Sequence, residues 1–209
     1  MARKPSRDML SAGLVGSYLL ASVWGFIFIL ALLGLLDNGN IVDFFNGAVL
    51  IIFGFLCGMV WIGGAICEGI GWIGVGRLHD DMPRAIGWLE ASLPILSVLT
   101  FFVQLGSNFH ADFTVIHILI IFQLLHYLLA FAWLLTCKPR ARSLPASIGY
   151  ALALIGGGGL YALAVARADP QVYMTTLVLV GLGGATVAHL STGLFFASQR
   201  VLVDSINTF

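Results

Sequence analysis

The chain has 209 residues, 59% of them apolar, and its ten basic and ten acidic residues cancel to a formal charge of zero. A soluble domain is about a quarter charged, whereas here the share is 10% and the mean hydropathy is +0.99. A water-facing globular domain is therefore excluded, and zero net charge leaves no basic footprint for nucleic acid. The expected fold class is an all-α integral membrane protein whose first partner is lipid.

The first segment, "MARKPSRDML", sets Arg3, Lys4 and Arg7 ahead of a long apolar run. A signal peptide starts in the same way. The run from Leu14 to Leu36 is too long for one, and no small-x-small cleavage site follows, so it reads as a retained transmembrane helix. A helix needs about 20 apolar residues to cross a bilayer. Six runs meet that length, at 11–36, 42–76, 85–106, 113–136, 145–167 and 171–198. The breaks between them, such as "LDNGNIVD" and "GRLHDDMPRA", carry Asn, Gly, Asp or Pro. The expectation is one bundle of six spans in three hairpins, with no separate soluble domain.

Charge then orients the chain. With the N-terminus inside, Arg3, Lys4, Arg7, Arg77, Arg84, Lys138, Arg140, Arg142 and Arg200 fall on the inner side and only Arg167 on the outer. The positive-inside rule therefore predicts that both termini are cytoplasmic, as for a multi-pass protein of a plasma membrane, the bacterial inner membrane.

The second span is long enough to tilt or to extend past the inner surface. It is rich in glycine, and its "GFLCG" is a GxxxG element that predicts close helix packing. "GGGG" at 156–159 predicts either a tightly packed or a broken fifth helix. Cys57, Cys67 and Cys137 form no CxxC pair and read as small apolar residues. Trp24, Trp61, Trp72, Trp88 and Trp133 fall mostly near span ends, as interfacial anchors do.

Ionisable groups at membrane depth are costly and are functional candidates by default. Here they are Glu68, Glu90, His117, His126 and His189, with Gln104 and Gln123 as neutral polar companions. At a rise of about 1.5 Å per residue, Glu68, His126 and His189 lie roughly 13, 18 and 16 Å from the inner boundary. Glu90 lies at roughly 9 Å. Three ionisable residues from three helices thus share about one turn of depth.

Helical rotation places His189 on a face with Ala185, Thr186, Thr192 and Gly193, and Glu68 with Gly64, Ala65, Gly71 and Trp72. Small-residue faces meet other helices rather than lipid. Glu90, Ser97 and Gln104 form a polar stripe on the third span, where Pro94 predicts a kink. His117 is placed opposite His126 on the fourth.

These positions predict an inner-half polar site of Glu68, Glu90, Gln123, His126 and His189, with Gln104, Asp112 and His117 at an outer mouth. Carboxylates beside histidines can take up and release protons. The leading expectation is proton- or ion-linked passage of a small solute, with no catalytic residues and no cofactor. One alternative is a non-catalytic membrane subunit, an assembly partner in a larger complex or a homo-oligomer, whose buried polar groups are interhelical glue. A second is an electron-transfer subunit holding haem b between His126 and His189 as axial ligands. A metal site of Glu68, His126 and His189 is a weaker variant, since its ligands come from separate helices.

Intramembrane hydrolysis is the least favoured reading. "HADFTVIHILI" and "AHLSTG" are superficially similar to the histidine-bearing helices of rhomboid proteases, but the serine motif of that family is missing. Ser191 also lacks an assembled base and oxyanion donors. His79 with Asp80 and Asp81, and His110 with Asp112, are expected to be solvated loop residues.

Overall fold

The computed structural model describes residues 7–36, 47–106, 113–137, 140–166 and 174–207. They form six helices and no strand: α1 Arg7–Leu36, α2 Gly47–Gly76, α3 Met82–Gly106, α4 Phe113–Thr136, α5 Arg140–Ala166 and α6 Met174–Asn207. Each lies close to a run expected from hydropathy. The 42–46 part of the second run falls outside the described residues. α6 continues nine residues beyond the expected end, to Asn207. α1, α2, α4, α5 and α6 are long and apolar enough to cross a membrane. α3 is not among them. It carries Arg84 and Glu90, with Ser92, Ser97 and Thr100 between apolar residues.

Consecutive helices pack side by side, and α6 closes back onto α1, so the bundle is a ring in chain order. Neighbours run antiparallel. Gly13 of α1 faces Gly71 of α2, Gly69 faces Gly87 of α3, and Gly156 of α5 faces Gly181 of α6. At these crossings there is no room for a side chain. A Cβ on Gly13 would stand 2.5 Å from the Gly71 Cα, and one on Gly16 would stand 2.6 Å from the Gly64 carbonyl oxygen. Small residues thus let the backbones touch, which is how helices associate where lipid removes the hydrophobic drive.

The glycines that close the ring are not those of the GxxxG element. Gly54 and Gly58 face open space, as does Gly63. The "GGGG" stretch leaves α5 unbroken, and α3 is continuous through Pro94. In α5 the four glycines divide: Gly156 packs against Gly181, while Gly158 meets nothing.

The polarity of the bundle is inverted relative to a water-soluble fold. Phe55, Trp88 and Val201 on its outside are 68%, 67% and 69% exposed, while Glu68, Glu90, His126 and His189 are buried. Soluble proteins almost never bury carboxylates around a charged interior while facing solvent with such residues. One end of the ring, here the basic end, holds the 77–81 turn and gathers Arg7, Arg77, Arg84, Arg142 and Arg200. No described residue at the far end is an arginine or lysine. At the basic end Arg7 lies 3.8 Å from Asp204, and Arg84 lies 2.6 Å from Asp81.

Candidate functional site

Six helices contribute to one polar centre in the middle of the ring. α2 supplies Glu68, whose Oε2 lies 2.9 Å from His189 Nδ1 of α6. The other carboxylate oxygen, Oε1, accepts from the Tyr150 hydroxyl of α5 at 3.2 Å and from the Trp72 indole at 3.4 Å. Ser17 of α1 stands beside the same carboxylate. Thr192 extends the chain of contacts. Its hydroxyl lies 3.2 Å from the Tyr150 oxygen and 2.8 Å from the Ala188 carbonyl, and its single proton serves one of the two.

A second pair lies alongside. His126 Nδ1 of α4 is 2.8 Å from Glu90 Oε2 of α3, and both side chains are buried. The distance is that of an ion pair, but the imidazole N–H is not directed at the oxygen. Glu90 Oε2 and both His126 nitrogens therefore keep unspent hydrogen-bonding capacity. Buried polar groups with no partner are uncommon in folded proteins.

Two tyrosines join the pairs. Tyr127 and Tyr150 are 5.6 Å apart between ring centres. Tyr127 stands 5.4 Å from His126 and 6.2 Å from His189. Tyr150 stands 5.9 and 6.1 Å from the same two rings. Gln123, one turn along α4, hydrogen-bonds Tyr127. The structure thus brings together all five residues expected of an inner-half site. It also resolves them into two Glu–His pairs with tyrosine between.

The remaining expected positions lie elsewhere. His117 is half-buried against Tyr161, with ring centres 5.5 Å apart, and takes no part in the centre. The Gln104 side chain and Asp112 lie outside the described residues. Ser97 lies on α3 near Glu90's stripe but is only half-buried.

Both tyrosine rings stand near both histidines, and each histidine turns its Nδ1 toward a carboxylate. Among the described residues no group of three or more His, Cys, Asp or Glu side chains has metal-binding geometry.

Tyr127, Tyr150 and Ser17 are site residues that sequence reasoning missed, while Trp72 and Thr192 were placed on the Glu68 and His189 faces without being assigned to the site. A tyrosine deep in an apolar run has a hydroxyl that must find a partner, and this was the available signal. Trp72 and Trp133 also depart from expectation. Instead of anchoring at an interface, they form a buried aromatic layer with Phe195 and Phe196 between the polar centre and the basic end. Trp72 meets Trp133 edge-on at 5.8 Å and Phe196 at 5.3 Å.

Below that layer a polar pocket of about 410 Å³ opens at the basic end, lined by His79, Asp80, Cys137, Arg142 and Gln199 among others. Its loop residues are tied rather than freely solvated. His79 Nε2 is 3.1 Å from Gln199 Oε1, and the Trp133 indole donates to Asp80 at 3.2 Å. Burial, and secondarily the Asp80 charge, push the Cys137 thiol up to about 11.

Fold and centre together define a class: a helical membrane protein with several spanning helices and a buried carboxylate–histidine core. Compared with protein families, curated proteins and solved structures, the chain matches none.

Proposed function

We propose that the protein carries a small solute across a membrane in exchange or symport with protons, and that the two Glu–His pairs are the proton carriers. The reading rests on one observation. Two carboxylates and two imidazoles, all buried, lie in the centre of the ring and contact one another in pairs. A charge at membrane depth is costly, and proteins keep such groups where protons or ions move. Glu68 and His189 exchange a proton along their 2.9 Å contact, and Glu90 and His126, 2.8 Å apart, form the second pair. Tyr150 and Tyr127 bridge the pairs. The aromatic layer of Trp72, Trp133, Phe195 and Phe196 closes the centre toward the basic end.

In this reading all six helices cross the bilayer as one domain, α3 included, because α3 stands in the ring between α2 and α4. The basic end faces the cytoplasm, in the bacterial case below the inner membrane. Residues from Gln104 through Asp112 to His117 lead to the opposite side. Cysteine labelling checks the orientation. Asn38→Cys is expected to react with impermeant maleimide from outside and Arg142→Cys only after permeabilisation, and the reverse pattern would overturn it.

The test of function is flux in proteoliposomes holding a trapped pH dye. Solute-driven pH change across a set of small solutes is expected in the native protein. It should be abolished in Glu68→Gln, which keeps the shape and removes the acid. A folded native protein that moves neither solutes nor protons would sink the proposal.

One observation favours a second reading, that of a membrane subunit. Gly54 and Gly58, one turn apart, leave a small-residue patch of α2 with nothing in front of it, as a partner helix or a second copy requires. Oligomer mass in mild detergent, native against Gly58→Leu, separates this reading from the first.

A further inference from the structure

Beyond the polar centre the packing leaves a pocket. A cavity of about 320 Å³ lies between α1, α4, α5 and α6. That is near the lower bound for a site that takes a small organic molecule. Its walls are side chains such as Leu124, Leu160, Val178 and Leu182, with Gly157 and Gly181 leaving flat patches. Polar side chains enter at one place, where Gln123 and Tyr127 meet, apart from the indole of Trp24. No charged side chain lines it.

We propose that this cavity binds a lipid-soluble small molecule whose single neutral head group hydrogen-bonds Gln123 and Tyr127. The lining sets the class. An ion, a sugar or an amino acid would bury polar groups against alkyl walls, and each one left without a partner incurs its full desolvation penalty. A charged head would find no counter-charge. A carbonyl or hydroxyl head on an apolar body loses nothing there. Gln123 and Tyr127 bond each other but retain capacity, since the amide offers two donors and the phenol one donor and one acceptor.

The access route fits the same class. A second apolar hollow of about 420 Å³ lies between α1 and α2, and Trp24 lines both. Phe53, Gly54, Cys57 and Gly58 form its α2 side, and there Gly54 and Gly58 have open space before them. This groove lies on the exposed apolar side of α2, so a ligand enters sideways from the bilayer, past Trp24, without crossing water. Its tail lies along the groove while its head reaches Tyr127. Tyr127 touches both histidine rings, so the head rests one side chain from the proton-carrying pairs. This coupling rests on the transport reading and names its solute class; the binding itself does not depend on that reading.

The test uses decylubiquinone, a neutral quinone with a ten-carbon tail that quenches indole fluorescence. The full chain is placed in lipid nanodiscs and titrated. Saturable quenching is expected, smaller in amplitude in Trp24→Phe. Gly157→Leu fills the cavity, and its Cβ would meet only Leu124 Cδ2 at 3.5 Å, an ordinary contact. Its apparent Kd is expected to rise about tenfold or more. Gln123→Leu keeps the volume and removes the amide, and is expected to weaken binding up to about tenfold. Gly158→Leu points into open space and should bind as the native protein does. Quenching that grows linearly with probe, equal in native protein, Gly157→Leu and Gln123→Leu, is partitioning into lipid and overturns the proposal. Glu68→Gln separates the two readings, since it should still bind the quinone even where flux is lost.

Discussion

Replacing Glu68 by alanine tests whether the centre is a charge-bearing pair or ordinary polar glue. The side chain is buried and accepts from three donors: His189 at 2.9 Å, Tyr150 at 3.2 Å and Trp72 at 3.4 Å. Of these, only His189 and Tyr150 reach Glu68 from other helices, since Trp72 lies on α2 itself; interhelical hydrogen bonds in membranes average about 0.6 kcal/mol, so two neutral ones would total about 1 kcal/mol. Breaking a buried charged pair costs about 3–5 kcal/mol, because the surviving partner is left uncompensated. Glu68→Ala is therefore expected to lose about 3–5 kcal/mol. Glu68→Gln should lose about 1 kcal/mol, since its amide oxygen still accepts from Tyr150 and Trp72. The pair is isolated by a double-mutant cycle with His189→Ala, whose coupling should fall between about 1 and 3 kcal/mol. Unfolding in mixed micelles, followed by far-ultraviolet circular dichroism, reads all five proteins, the double variant included. A loss below about 1 kcal/mol in Glu68→Ala with no coupling to His189 would refute the charged-pair argument and leave the residue as packing.

Two further predictions concern packing and the basic end. Gly16→Ala would drive a methyl group into the α2 backbone, 2.6 Å from the Gly64 oxygen and 2.7 Å from the Cys67 carbonyl carbon. It should cost about 1–3 kcal/mol or more in the same unfolding assay. Gly58→Ala meets nothing and should be neutral or stabilising by up to about 1 kcal/mol; equal losses at the two sites would contradict the helix order. Cys137, held up to about 11 from 9.0 by burial and then by Asp80, should label slowly with maleimide at pH 8 in a Cys57→Ala, Cys67→Ala background. Its rate should climb about tenfold per pH unit toward pH 10. Asp80→Asn removes the repelling charge, lowers the thiol pKa and speeds labelling; an unchanged rate would show that the carboxylate does not reach the thiol. The folded state holds its thiol proton more tightly than the unfolded state. This group's contribution to stability is therefore complete below pH 9 and is lost as pH rises toward about 11.

Helix positions and the shared level of the polar residues were legible in the sequence, because both follow from simple regularities. Apolar runs of spanning length are rare outside membranes, and a fixed rise per residue converts sequence distance into depth. That arithmetic grouped Glu68, His126 and His189, and the structure brings them into one layer. The pairing was not legible. Glu68 meets His189 because α6 returns to close the ring near α2, and Glu90 meets His126 because α3 borders α4. Helix order depends on which glycine faces interlock, and the sequence offers more glycine faces than the fold uses. Gly54 and Gly58 looked as suitable as Gly13 and Gly71, yet only the latter pair closes a contact.

Aromatic residues misled for a related reason. In a soluble core a buried tryptophan is one apolar residue among many, and in a membrane helix it is usually an anchor at the interface. Neither habit applies to Trp72 or Tyr150, whose polar atoms are bound to a carboxylate in the middle of the ring. In lipid the apolar residues can face any direction, so they carry little information about the inside. A hydrogen-bonding atom at depth must face protein, since the bilayer core offers it no partner. By that criterion Tyr127, Tyr150, Trp72 and Thr192 belong with Glu68 and His189. The polar centre then comprises the hydroxyls and indole that hold the carboxylate as well as the titratable residues.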